Sequence, residues 1–215
     1  VLDGLDSAPL CGPEVAAPSL QPVKVHVVTV GVPDDVGMVV FEATRRVWGR
    51  LGLTVERVGS TKVGVQPLLF DAKAPTPAGQ LAPMQAVLDA LPDAAGAVPL
   101  VVMADFVAEG SALDALRGLT LPAADADIES GLPEAVLVTV RRPSVPVVFI
   151  DAGAGPRAPG DLSLAPAHEL GHALGLSHRA EDDVLMSAGD LSLRCVPGLS
   201  VEEWQTVRAS TEGGG

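Results

Sequence analysis

His168-Glu169-Leu170-Gly171-His172-Ala173-Leu174-Gly175-Leu176-Ser177-His178 is the stretch that decides how this chain is read. On an α-helix, His168 and His172 fall four residues apart on one face, where both imidazoles can reach a single ion. Glu169 lies about 100° around the helix from His168 and about 60° from His172, so its carboxylate hangs beside that ion without having to bind it. Gly175 lacks a Cβ and can take a left-handed conformation that ends the helix and turns the backbone sharply. The turn returns His178 as a third nitrogen ligand. Three neutral imidazoles with a fourth position left to water describe a catalytic Zn2+ site, because a structural site is closed by four protein ligands.

The competing reading is coincidence. A bare His-Glu-x-x-His arises by chance in solvated helices, and an isolated methionine is more often core filler. This chain has only four histidines, however, and three of them stand in this one stretch. The pattern H-E-x-x-H-x-x-G-x-x-H resembles the signature of the metzincin clan of zinc endopeptidases, carried here by His168, Glu169, His172, Gly175 and His178. Met186, in Val184-Leu185-Met186-Ser187, follows His178 by eight residues, where the clan has a methionine in a tight turn beneath the metal. That spacing and the filler residues are similar to the matrixin branch, from which Arg179 and Ser187 depart.

The resemblance implies an α/β (α+β) domain: a mixed, twisted five-stranded sheet, a backing helix, an active-site helix, and a small C-terminal subdomain with a terminal helix. It implies a zinc-dependent endopeptidase in which Glu169 takes a proton from a zinc-bound water and passes it to the departing amine. It implies that residues 187–194 border the pocket for the residue after the cleaved bond. Leu191 and Leu193 would form an apolar wall there, with Arg194 either closing the base or facing water. It also implies an exposed antiparallel edge strand, assigned to residues 135–141, along which a protein or peptide substrate binds extended through main-chain hydrogen bonds. The chain has no tyrosine, so the tyrosine that follows the Met-turn in the astacin and serralysin branches has no counterpart. Two other classes remain open. A zinc-stabilised binding or adhesion module would not need Glu169 to hold the ion, and a hydrolase of small amides would show a closed cleft.

Composition sets the limits. The 215 residues are 47% hydrophobic and 19% charged, enough for one catalytic domain with a core. Residues 1–22 read as an N-terminal arm, 23–175 as the subdomain with sheet and active-site helix, and 176–215 as the C-terminal subdomain. A net charge of −13 argues against nucleic-acid partners and for a well-solvated exported protein, secreted or extracellular or periplasmic; abundant Ala, Gly, Pro and Val with little Lys suggests a bacterial gene, and a monomer is expected. No apolar run reaches the length of a membrane span, and the first residues do not read as a signal peptide. Cys11 and Cys195 flank nearly the whole chain. Three readings stay open for them: a disulfide tying the arm to the segment after Met186, unpaired thiols, or a thiolate switch. The last rests on Pro9-Leu10-Cys11-Gly12-Pro13-Glu14, which resembles the matrixin propeptide motif with its arginine replaced and one residue missing.

In chain order, Val23–Val30 is rich in β-branched residues and reads as a strand. His26 within it reads as a sheet-face residue, not a ligand. Pro33-Asp34-Asp35 opens a helix with an apolar stripe of Val36, Val40, Ala43, Val47 and Leu51, widened by Phe41 and Trp48. Leu53–Val58, Val98–Met103, Ala135–Val140 and Val145–Ile150 read as the other strands. A short strand within Val63–Phe70, a helix over Met84–Leu91 and another from Ser111 closed by Gly118 are expected between them. Ser163 is expected to cap the active-site helix, and Ser200-Val201-Glu202-Glu203 forms a capping box opening the last one.

Overall fold

The computed structural model describes residues 10–11, 18–65, 68–71, 73–93, 96–106, 117–124, 140–152, 161–179, 185–186 and 196–212. In chain order the elements are β1 (Leu10–Cys11), β2 (Val23–Val30), α1 (Asp34–Leu51), β3 (Val55–Val63), α2 (Pro77–Asp89) and β4 (Val98–Met103). They continue with β5 (Gly118–Leu121), β6 (Val147–Asp151), α3 (Asp161–Ala173), β7 (Val196–Pro197) and α4 (Val201–Glu212).

The main sheet has five strands in the order β3-β2-β4-β6-β5. The first four neighbours are parallel, and β5 closes one edge antiparallel to β6. Parallel strands buried on both faces need near-continuous apolar sequence, which is what Val-Pro-Leu-Val-Val-Met of β4 and Val-Val-Phe-Ile-Asp of β6 supply. One face of the sheet packs with α1 and α3 around Val25, Val27, Leu100, Val102, Val148 and Ile150. The other face packs around Val28, Val30, Val101, Phe149, Met84 and Phe106.

The backing helix α1 forms where its stripe predicts. Val40, Phe41, Val47, Trp48 and Leu51 are buried, each worth about 1.5–3 kcal/mol as a fully covered apolar side chain. Gly52 ends it with φ 93°, and its N–H bonds back to the carbonyls of the last turn. The terminal helix α4 opens on the expected box: the Glu203 N–H donates to Ser200 Oγ at 3.2 Å and the Ser200 N–H to Glu203 Oε2 at 2.6 Å.

Several expectations are corrected. Among the described residues the antiparallel edge strand is Gly118–Leu121. Residues 135–139 lie outside the described residues, and 140–146 carry no strand. Edge pairing is decided by long-range packing of Leu119 and Leu121 against Phe149 and Val147, which local β propensity does not register. Gly118 therefore begins a strand instead of closing a helix, and residues 111–116 lie outside the described residues. The helix expected at 84–91 is Pro77–Asp89, started by Thr76, whose Oγ1 accepts from the Gly79 N–H. β3 begins two residues later than expected and runs on to Val63. Ser163 lies inside α3, which starts at Asp161.

Cys11 is disulfide-bonded and no described cysteine is free, while Cys195, the partner expected for it, lies outside the described residues. Among those residues the arm is tied down by the parallel ladder of Leu10 with Val196 and Cys11 with Pro197. No described helix is long and apolar enough to cross a membrane.

Candidate metal centre

Helix α3 carries His168 and His172 on one face, as their spacing requires. Its opposite side buries Ala167, Leu170 and Leu174 in the core, so packing alone fixes which way the imidazoles point. Trp48 of α1 clamps the helix from behind: its indole N–H donates to the Ala167 carbonyl at 3.1 Å. Gly175 stands at φ 87°, a left-handed conformation that a Cβ would penalise by about 1–2 kcal/mol. From there the chain doubles back to His178, as the glycine's position predicts. Ser210 of α4 then donates to the Leu174 carbonyl at 2.8 Å, satisfying an acceptor left open at the helix end.

The three Nε2 atoms of His168, His172 and His178 lie 3.1–3.2 Å from one another. Their protonation follows from the other ring nitrogens. His168 Nδ1 faces the Leu185 carbonyl at 2.7 Å and His172 Nδ1 the Leu176 carbonyl at 2.8 Å. A carbonyl only accepts, so both Nδ1 atoms carry hydrogen and both Nε2 atoms present lone pairs. Acceptors aimed at one another repel unless a cation stands among them. Imidazole nitrogens about 2.0–2.1 Å from a tetrahedral zinc lie about 3.3–3.4 Å apart, close to what is seen. Among the described residues these three histidines are the group able to hold a metal, and Cys11 is not part of it, so the thiolate switch finds no support.

Burial readies the ligands. It lowers the His168 imidazole, and it lowers His172 to about 4, with the neighbouring His168 adding to the effect. Both shifts favour the neutral imidazole that ligation demands. His178 is the exposed member and marks the open side of the centre.

Met186 is fully buried under α3. A Cβ added at Gly171 would meet Met186 Sδ at 2.5 Å, so the glycine is what lets the turn lie against the helix. The same turn holds Leu185, whose carbonyl orients His168. Leu191, Leu193 and Arg194, expected on the pocket wall, lie outside the described residues.

Glu169 faces β5. The residue is 9% exposed, and its side chain packs on Gly118, where an added Cβ would overlap its Cγ. Thr120 Oγ1 stands 2.7 Å from Glu169 Oε2 and 2.8 Å from the Glu169 carbonyl. Burial pushes the carboxyl up to about 7, against the hydrogen bond from Thr120, which pulls it down. Sequence reading missed Thr120 altogether and gave Gly118 only the end of a helix. The one local signal was the Leu-Thr-Leu alternation after a glycine, too short to count alone.

The main chain of β5 completes the geometry. The Asp151 N–H donates to the Arg117 carbonyl at 3.0 Å, so residues 117, 119 and 121 bond to β6. In an antiparallel ladder the intervening residues then turn their N–H and C=O outward. Gly118 and Thr120 thus turn their main-chain N–H and C=O away from β6, on the two residues that touch Glu169.

No protein-family model and no curated protein sequence matches the chain. Its fold is similar to the crystal structure of metalloproteinase-II from Bacteroides fragilis, with TM-score 0.53 and 13% identity. That match covers 97% of this chain and 60% of the other, so this chain spans about three fifths of that protein. It is also similar to the crystal structure of archaemetzincin from Methanopyrus kandleri, with TM-score 0.50 and 18% identity over 88% of this chain and 96% of that one. With a mixed five-stranded sheet, a His168-His172-His178 cluster suited to one Zn2+ and a small C-terminal helical part, the chain has a metzincin-like fold.

Proposed function

We propose that the chain is a zinc-dependent peptidase that cleaves within extended polypeptides. The observation that carries this reading is the convergence of three imidazole nitrogens, with a buried carboxylate on the residue that follows the first of them and is not part of the cluster. Holding an ion needs only the histidines; a glutamate sequestered from water next to them is surplus to a purely structural site. That weighs against a zinc-stabilised adhesion module.

His168, His172 and His178 would hold the zinc, whose Lewis acidity polarises a peptide carbonyl and makes water a better nucleophile near neutral pH. Glu169 accepts the proton from the attacking water and returns it to the leaving amine nitrogen. In the metal-free chain burial makes this carboxyl a stronger proton acceptor than a solvated one, as the first half of that task needs. The outward N–H and C=O groups of Gly118 and Thr120 bind an extended backbone as an added strand, which needs neither end of the substrate. Cleavage in mid-chain follows.

The test is cleavage-site mapping on unfolded protein substrates with zinc-loaded wild type and Glu169→Ala. The expected result is internal cuts by wild type, lost on chelation and lost in the variant although zinc stays bound. Absence of peptide cleavage by the zinc-loaded protein overturns the proposal, and turnover confined to small amides would replace it with the second hydrolase class.

A further inference from the structure

We propose that Thr120 is a positioning residue for the general base: its hydroxyl, carried on the substrate-binding edge strand, fixes the Glu169 carboxylate through both of the protonation states it passes during turnover. The inference deepens the peptidase reading and rests on it.

The contact is specific in its chemistry. A threonine hydroxyl has one proton and two lone pairs, and two acceptors sit within 2.8 Å of it, Glu169 Oε2 and the Glu169 main-chain carbonyl. When the carboxylate is ionised, Thr120 Oγ1 donates to Oε2. When Glu169 has taken a proton from water, its O–H donates to Thr120 Oγ1, and the threonine proton swings to the carbonyl of the same residue. In the ionised state the single hydroxyl proton goes to the carboxylate, in the protonated state each acceptor has its own donor, and no net proton leaves the pair. A residue able only to donate, or only to accept, would fit one state and oppose the other.

The steric side agrees. Gly118 leaves room for Cγ of Glu169 where a Cβ would overlap it, so the carboxylate lies flat on β5 between Gly118 and Thr120. Both residues turn their main-chain groups away from β6, as the ladder dictates. One short strand therefore carries the substrate's backbone partners and the base's partner together. The distance from scissile bond to base is then set by a four-residue element, with no intervening loop.

The test compares Thr120→Val, which keeps the shape and removes the hydroxyl, with Thr120→Ser, which keeps the hydroxyl. On an unstructured peptide, Thr120→Val should lower kcat by about 10- to 100-fold, the worth of a hydrogen bond to a charged group. KM and zinc affinity should stay within about twofold, because neither the ligands nor the edge main chain is altered. Thr120→Ser should recover most of the rate. In the zinc-free protein, the 13C resonance of the Glu169 carboxyl carbon should move in Thr120→Val and hold in Thr120→Ser; should Thr120→Val fail to fold, Thr120→Ala is read the same way. An unchanged kcat and resonance overturns the inference, and so does a fall in zinc affinity that matches the fall in rate, which would make Thr120 a mere buttress of the helix. Activity surviving in Glu169→Ala would instead sink the peptidase mechanism, whereas an inactive Glu169→Ala beside a fully active Thr120→Val sinks only the role given to Thr120.

Discussion

Replacing Gly171 by alanine sets two known effects against each other at a single atom. In a helix interior the change normally stabilises by about 0.8–1 kcal/mol, through a lower backbone entropy cost. At Gly171 the new Cβ would stand 2.5 Å from Met186 Sδ, 3.3 Å from its Cε and 3.5 Å from Leu176 Cδ1. Ordinary contact needs more than an ångström of extra room, and Met186 is fully buried with nowhere free to go. Overpacking of this kind costs about 1–3 kcal/mol, so we expect a net loss near 1 kcal/mol where a free helix position would gain as much. Gly49 in α1 is the internal control, because nothing lies within 4 Å of its added Cβ. Met186 also adjoins Leu185, whose carbonyl holds His168 Nδ1 at 2.7 Å, so shifting the turn tilts a ligand and weakens zinc binding. Urea unfolding of the zinc-free protein reads the first effect and chelator competition the second. Gly171→Ala that is stabilised like Gly49→Ala, with zinc affinity unchanged, would refute the claim that the turn lies packed against the helix.

Further outcomes follow from the same geometry. Glu169 has a folded pKa of about 7 against 4.5 unexposed to the fold, so the native state holds the extra proton and wild type loses stability as pH rises across that window. Zinc-free Glu169→Gln should therefore be the more stable protein above pH 7, by at most about 3 kcal/mol, with the advantage gone near pH 4.5; a difference that does not change with pH in urea titrations would be wrong for this site. Trp48→Phe removes the donor to the Ala167 carbonyl and some core volume, and should cost about 1–3 kcal/mol in thermal unfolding; a neutral result would mean that the clamp on α3 carries no weight. Gly175→Ala should cost about 1–2 kcal/mol from its φ of 87° alone, read in the same unfolding assay, and no loss would contradict the left-handed turn.

What the sequence made legible was local. Residue spacing placed the three histidines and Glu169 because helix periodicity and one glycine turn suffice to bring them together. The stripe of α1 and the capping box of α4 were equally readable, each lying within a single element. The edge strand was not. Gly118–Leu121 is short and earns its place only by pairing with β6, a contact some thirty residues away that no local pattern encodes. The more β-prone run at 135–140 drew the assignment instead. Thr120 was invisible for the same reason: nothing near it in the chain hints at Glu169, 49 positions on. Conversely, β2 was plain because its eight residues are mostly β-branched, whichever neighbours they meet.

The central claim is that three imidazoles hold one zinc while Glu169 stays unligated beside them. X-ray absorption at the zinc edge, on wild type and Glu169→Ala loaded with one equivalent, addresses it directly. The account predicts three imidazole nitrogens at about 2.0–2.1 Å and the same protein ligands in both proteins. A ligand lost with Glu169, sulfur in the shell, or fewer than three imidazoles would contradict it.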